Sequence, residues 1–102
     1  MPGYELTAEA DSDLEDIARY TIREWGTKQA AQYAGKLERC FEKIARKEAV
    51  FRSFSEKLPE ASVTRCEHHY IFYLHPEGKR PVIFAVLHER MDLLARLKDR
   101  LG

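Results

Sequence analysis

The chain lacks any excess charge of one sign: 17 Lys and Arg stand against 17 Asp and Glu in 102 residues. That balance leaves no footprint for wholesale binding to nucleic acid or membrane, although a local basic patch stays open. Long hydrophobic runs are also missing, and no stretch approaches the roughly 20 apolar residues that span a bilayer. The start, MPGYELTAEADSD, has no basic region followed by an apolar run, so no signal peptide is expected and a cytoplasmic location is the default. Cysteine is scarce. Cys40 and Cys66 form no metal or redox motif, and both are expected to stay reduced. There is no internal repeat, low-complexity tract or linker. What remains is 44% hydrophobic and 33% charged, enough apolar content for one folded domain over 1–102.

Tyr4 to Thr7 reads as a short strand, and Thr7 can cap a helix whose positive end is favoured by Glu9, Asp11 and Asp13. Leu14, Ile17, Ala18, Thr21 and Trp25 make one helical stripe, and Gly26 ends it. Thr27 can cap a second helix, buried along Ala30, Ala34, Leu37, Phe41, Ile44 and Ala45. With almost no loop between them, the two helices should form an antiparallel hairpin. Residues 48–61 read as an irregular connection anchored by Phe51, Phe54 and Leu58. Three strands are expected over 62–66, 69–75 and 82–88, then a helix over 90–101 with Leu93, Leu97 and Leu101 on one side. The order β-α-α-β-β-β-α predicts an α+β domain, a helical hairpin on a small antiparallel sheet.

The strands are apolar on both faces. If His75 lies opposite Val82, then Tyr73 meets Phe84, Ile71 meets Val86 and His69 meets His88; a turn at Glu67-His68 sets Cys66 opposite His69. One face then reads Val63, Arg65, Tyr70, Phe72, Leu74, Ile83, Ala85, Leu87, and it is expected to carry the hairpin. The other reads Thr64, Cys66, His69, Ile71, Tyr73, His75, Val82, Phe84, Val86, His88. Antiparallel sheets commonly leave one face polar and wet, so this second apolar face predicts a partner that covers it. Cover by the last helix and the 48–61 segment is the alternative.

Three chemistries fit the residue types near this face. Cys66, His69 and His88 could hold zinc, but no spaced Cys/His motif supports it, and no metal or cofactor is expected. Cys66 with His69 could form a thiolate–imidazole pair, but no oxyanion-hole motif or orienting acid accompanies it. Arg65, His69, Tyr73, His88 and Arg90 are the types that acid–base cleavage of RNA requires. The ordinary alternative is a pair of hydrogen-bonded histidines at a strand end beside a solvated charged rim.

Several landmarks occur together and in order: Tyr4-x-Leu6-Thr7, Asp13-Leu14-x-x-Ile17-x-x-Tyr20-Thr21, Trp25-Gly26-x-x-Gln29-Ala30-x-x-Tyr33, Ile71-Phe72-Tyr73 and Val86-Leu87-His88-Glu89-Arg90-Met91-Asp92. Over roughly residues 4 to 97 the chain resembles a ParE-type toxin of the RelE/ParE superfamily. The resemblance implies a bacterial type II toxin–antitoxin system and a ParD-like antitoxin whose C-terminal segment wraps the toxin. It implies a non-enzymatic toxin that poisons DNA gyrase by non-covalent binding and meets DNA only through gyrase or antitoxin. The antitoxin is expected on Tyr20, Trp25, Tyr33, Tyr73 and Phe84. The target is expected on His88, Arg90, Met91, Leu94 and Lys98. Two other readings stay open: a ribosome-dependent mRNA endonuclease using Arg65, His69, Tyr73, His88 and Arg90, and a non-toxic relic that only binds its antitoxin.

Overall fold

A computed structural model describes residues 3–56 and 58–101. The elements run β1 (Glu5–Leu6), α1 (Ala8–Trp25), α2 (Thr27–Ala45), β2 (Arg52–Ser55), β3 (Leu58–Cys66), β4 (His69–Leu74), β5 (Val82–His88) and α3 (Leu93–Leu101). The five strands form one sheet in the order β1-β5-β4-β3-β2. β1 runs parallel to β5, and every other pairing is antiparallel.

Thr7 caps α1 as expected, whereas the N-cap of α2 is Gly26 rather than Thr27, which is the first helical residue. Thr7 Oγ1 accepts the Ala10 amide at 3.1 Å, and Glu9 and Asp11 occupy the first turn of α1. Gly26 stops α1 and starts α2 at φ +89°, where a residue with a Cβ would be strained. α2 buries Ala30, Leu37, Phe41 and Ile44 and turns its charged residues to water.

Beyond the α2 cap, three local features differ from the sequence expectations, and the sheet register and the choice of face differ as well. First, 48–61 is not wholly irregular. Arg52–Ser55 forms β2, β3 begins at Leu58, and the two pair from Arg52↔Val63 to Ser55↔Leu58. Phe54 holds this edge by meeting the Phe72 ring edge-on at 5.3 Å. Second, α3 starts at Leu93 rather than 90, because Asp92 Oδ1 accepts the Ala95 amide as an N-cap. Third, Cys40 and Cys66 form a disulfide. α2 and β3 bring their Cα atoms to 6.4 Å, within bridging range.

The sheet register agrees with expectation from His69↔His88 to Phe72↔Ala85, then shifts to Tyr73↔Ile83 and Leu74↔Val82. Phe84 is thus the extra residue of a β-bulge. The bulge sends Ile83 to the face of Ile71 and Val86, and Phe84 to the face of Phe72 and Leu87. The expected pairs Tyr73–Phe84 and His75–Val82 do not form. The choice of face is corrected as well: α1 and α2 cover the side carrying Cys66, Ile71, Tyr73, Ile83 and Val86. The opposite side, with Val63, Phe72, Phe84 and Leu87, is covered by Leu93 and Leu97 of α3 and by Phe54. The chain therefore roofs both apolar faces itself. Tyr73 (4% exposed) and Phe84 (7%) are core residues, not an open docking face. Among the described residues, no helix is long and apolar enough to cross a membrane.

Candidate interaction surfaces

At the β3–β4 turn, three histidines gather around Tyr33 of α2. Tyr33 Oη accepts the His68 amide at 3.2 Å and hydrogen-bonds His69 Nδ1 at 2.6 Å. In the tautomer with Nδ1 unprotonated, the Tyr33 hydroxyl donates to His69. Burial, reinforced by the neighbouring His88 and His68, lowers the His69 pKa to about 4, so the ring is neutral at physiological pH. Burial likewise raises the Tyr33 and Tyr73 phenols above their ordinary value. Outside this core, Glu89 accepts from Arg65 at 2.5 Å and from His68 Nδ1 at 3.3 Å. Desolvation pushes the Glu89 carboxyl up, but the His68 hydrogen bond and the Arg65 charge outweigh it and hold the group below its ordinary value.

The five residues considered for RNA cleavage are not brought onto one surface. His69 and Tyr73 are buried under the hairpin. Arg65 stands on the opposite face, its guanidinium over the Tyr70 ring and paired with Glu89. Arg90 lies exposed in the turn after β5, where its amide donates to His88 Nδ1 at 3.1 Å. Nor is Cys66 a free thiol beside His69, because it is bonded to Cys40.

Among the described residues, the large exposed apolar side chains fall in three places. Tyr20, Ile22 and Trp25 (62% exposed) lie on the last turns of α1, with Arg23 over the Tyr20 ring. Val50 and Phe51 stand before β2. Met91 and Leu94 (64%) lie at the start of α3. Within α3, Leu94 and Lys98 share one side at i, i+4 spacing and both are exposed, while Met91 is exposed in the turn before the helix. Leu93, Leu97 and Arg100 occupy the inner side.

Arg100 ends that inner side in a bidentate pair with Asp13 of α1, at 2.5 and 2.6 Å. Arg100 also donates to the Phe84 carbonyl at 3.1 Å, and Asp13 accepts the Val86 amide at 2.9 Å. The hydrogen bond to Asp13 raises the Arg100 pKa against the opposing effect of burial.

The family described as ParE toxin of type II toxin–antitoxin system, parDE, matches residues 4–93. The chain belongs to the ParE toxin family. Among its relatives, Toxin ParE of Escherichia coli is 50% identical over 101 residues, covering 99% of this chain and 98% of that one. Toxin ParE1 of Caulobacter vibrioides is 37% identical over 99 residues, covering 95% and 99%. A chain from the chromosomal ParDE TA system of P. aeruginosa shares the fold, with TM-score 0.70, 17% identity, and coverage of 83% of this chain and 92% of that one.

On this ParE fold, Tyr20 and Trp25 stand in water and Tyr33 is half-buried, while Tyr73 and Phe84 are interior. Met91, Leu94, Lys98 and Arg90 are exposed, and His88 is half-buried. Sequence reasoning overlooked Val50, Phe51 and Ile22 as exposed apolar groups. It also overlooked the Asp13–Arg100 pair, which joins positions 87 residues apart. An acid in the second turn of a helix carries no signal of such a distant partner.

Proposed function

We propose that this ParE-family chain inhibits DNA gyrase by non-covalent binding in the cytoplasm and that a ParD-like antitoxin neutralises it. The observation that carries the target assignment is the outer side of α3. Leu94 and Lys98 stand in water there, and Met91, Arg90 and His88 lie just before the helix, at the end of β5 and in the turn that follows it. A partner that desolvates Leu94 and Met91 gains apolar burial, and Lys98 and Arg90 add charge for an acidic rim. Binding an intermediate with cleaved DNA better than the resealed state shifts gyrase toward cleavage, with no reaction on the toxin itself. The non-enzymatic reading is supported by the scattering of the five RNA-cleavage candidates and by the occupied Nδ1 of His69. For the antitoxin, Tyr20, Ile22, Trp25 and the neighbourhood of Tyr33 offer apolar anchors; Tyr73 and Phe84 offer none.

The test is purified protein titrated onto gyrase with supercoiled plasmid. Cleaved DNA should accumulate with dose, while mRNA in a translation extract stays intact. Leu94→Asp should raise the half-inhibitory dose by about tenfold or more. Codon-periodic mRNA cuts, or gyrase indifferent to the protein, would sink the assignment.

A further inference from the structure

β1 is only two residues long, so it pairs β5 at Val82 and Ile83 and then leaves that edge; the last bond is the Thr7 amide to the Ile83 carbonyl at 3.0 Å. Beyond it, the bulge at Phe84 turns the Phe84 carbonyl and the Val86 amide outward, where no strand meets them. Unpaired edge groups are costly when covered and invite foreign strands when open. Here they are met by two side chains from opposite sides of the sheet. Asp13 comes from α1, on the hairpin face, and accepts from Val86. Arg100 comes from α3, on the other face, and donates to Phe84. Their fork-to-fork pair closes over the edge. The side chains of Arg100 and Asp13 are only 17% and 12% exposed, so water competes weakly.

We infer that Asp13 and Arg100 are positioning residues for the toxin's target-facing helix: their pair over the β5 edge sets the rotation of α3 on the sheet. The inference rests on the reading of α3 as the target-facing element. α3 is nine residues long, too short to be stable alone. Among its described side chains, Leu93 and Leu97 pack on the sheet. Two leucines at i, i+4 hold a helix down but leave it free to roll. A bidentate contact at Arg100, three residues after Leu97, removes that freedom, and Leu94 and Lys98 then face outward together. The pair also closes the β5 edge to a partner strand.

The experiment compares Arg100→Ala, Arg100→Lys and Leu94→Asp in the full chain by amide hydrogen exchange and by gyrase inhibition. Arg100→Ala should speed exchange across 93–101 and at Val86 by about tenfold while Ile71 to Tyr73 stay protected. It should weaken gyrase inhibition about tenfold as well, and Arg100→Lys, which keeps the charge without the fork, should recover part of both. Exchange in α3 unchanged by Arg100→Ala overturns the inference. If α3 loosens and inhibition is unmoved while Leu94→Asp still weakens it, positioning is refuted and the target surface stands. If neither substitution affects inhibition, the target surface itself is wrong. Should Arg100→Ala unfold the whole domain, Arg100→Lys and Asp13→Asn are judged by the same criteria.

Discussion

On one side of the sheet, α1 and α2 press Leu37, Phe41 and Ile44 against Ile71, Ile83 and Val86, and a disulfide ties α2 to β3. On the other, the short α3 rests on Leu93 and Leu97 and is held at its end by Arg100. The first side has a continuous core, a covalent link and the Tyr33–His69 bond. Among the described residues, the second has a smaller cluster, the Arg100–Asp13 pair at the end of α3 and the more exposed Arg65–Glu89 pair. Damage under the hairpin should therefore unfold the domain, whereas damage under α3 should free a helix from a sheet that stays folded.

The largest effect is expected at Phe41, fully buried under the hairpin and packed on Tyr4 with ring centroids 5.4 Å apart. Phe41→Ala should cost about 4 kcal/mol, which is most of the stability of a domain this size. Urea unfolding should show one cooperative transition at a much lower midpoint. A second transition, with the sheet surviving the first, would break the comparison.

Next comes the disulfide. Its cysteines are 26 residues apart, and a loop of that length implies about 3.5 kcal/mol by the chain-entropy account. Reduction should lower the melting temperature by roughly 10 °C or more, and a Cys40→Ala, Cys66→Ala double variant should melt equally with and without reductant. Free thiols in the oxidised folded protein, counted by a thiol reagent, would remove the covalent tie from the argument.

Leu97→Ala tests the weaker side. It removes the best-buried α3 anchor among the described residues and should cost about 2–3 kcal/mol. Exchange should rise across 93–101 and stay slow in β4. Uniform acceleration through β4 would mean that the two sides unfold as one unit.

How much of this was legible follows from what sets the phase of a pattern. The hairpin was readable because Gly26 and the charged outer faces of both helices fix which side is inside. The register from His69 to Phe72 was readable from alternation. It was lost at Phe84, because Val82 to Leu87 is apolar at every position and one extra residue leaves no mark. The same uniformity hid which face meets the helices, and with it the error that placed Tyr73 and Phe84 at a docking surface. Arg52-Ser53-Phe54-Ser55 carries a single apolar side chain, so β2 had no periodicity to show. The cysteines gave no spacing motif, and the compartment alone argued for thiols. The outer stripe of α3 was readable as surface, whereas its anchor at Arg100 depends on an 87-residue contact.

The smallest effect is the pH response at the hairpin face, and its sign discriminates between the sides. His69 lies beneath α2 with Tyr33 on its Nδ1, and His88, His68, Glu89 and Asp13 act on it electrostatically. Its pKa falls from 6.5 to about 4, chiefly because burial disfavours the charged ring. Between those values the unfolded chain binds the proton and the folded chain does not, so stability rises with pH across the window. The contribution is complete above about pH 6.5 and is lost as pH falls toward 4. Going from pH 7 to pH 5 should remove about 2 kcal/mol, read as a drop in urea midpoint. His69→Gln should flatten that slope. Tyr33→Phe should cost about 1 kcal/mol at pH 7, since it strips His69 of its hydrogen-bond partner and the His68 amide of its acceptor. Leu97→Ala leaves the histidine untouched, so it should lower stability equally at both pH values. A slope that moved with Leu97 and not with His69 would show that the titrating group belongs to the α3 side, and the two sides would then be coupled where they are described here as separate.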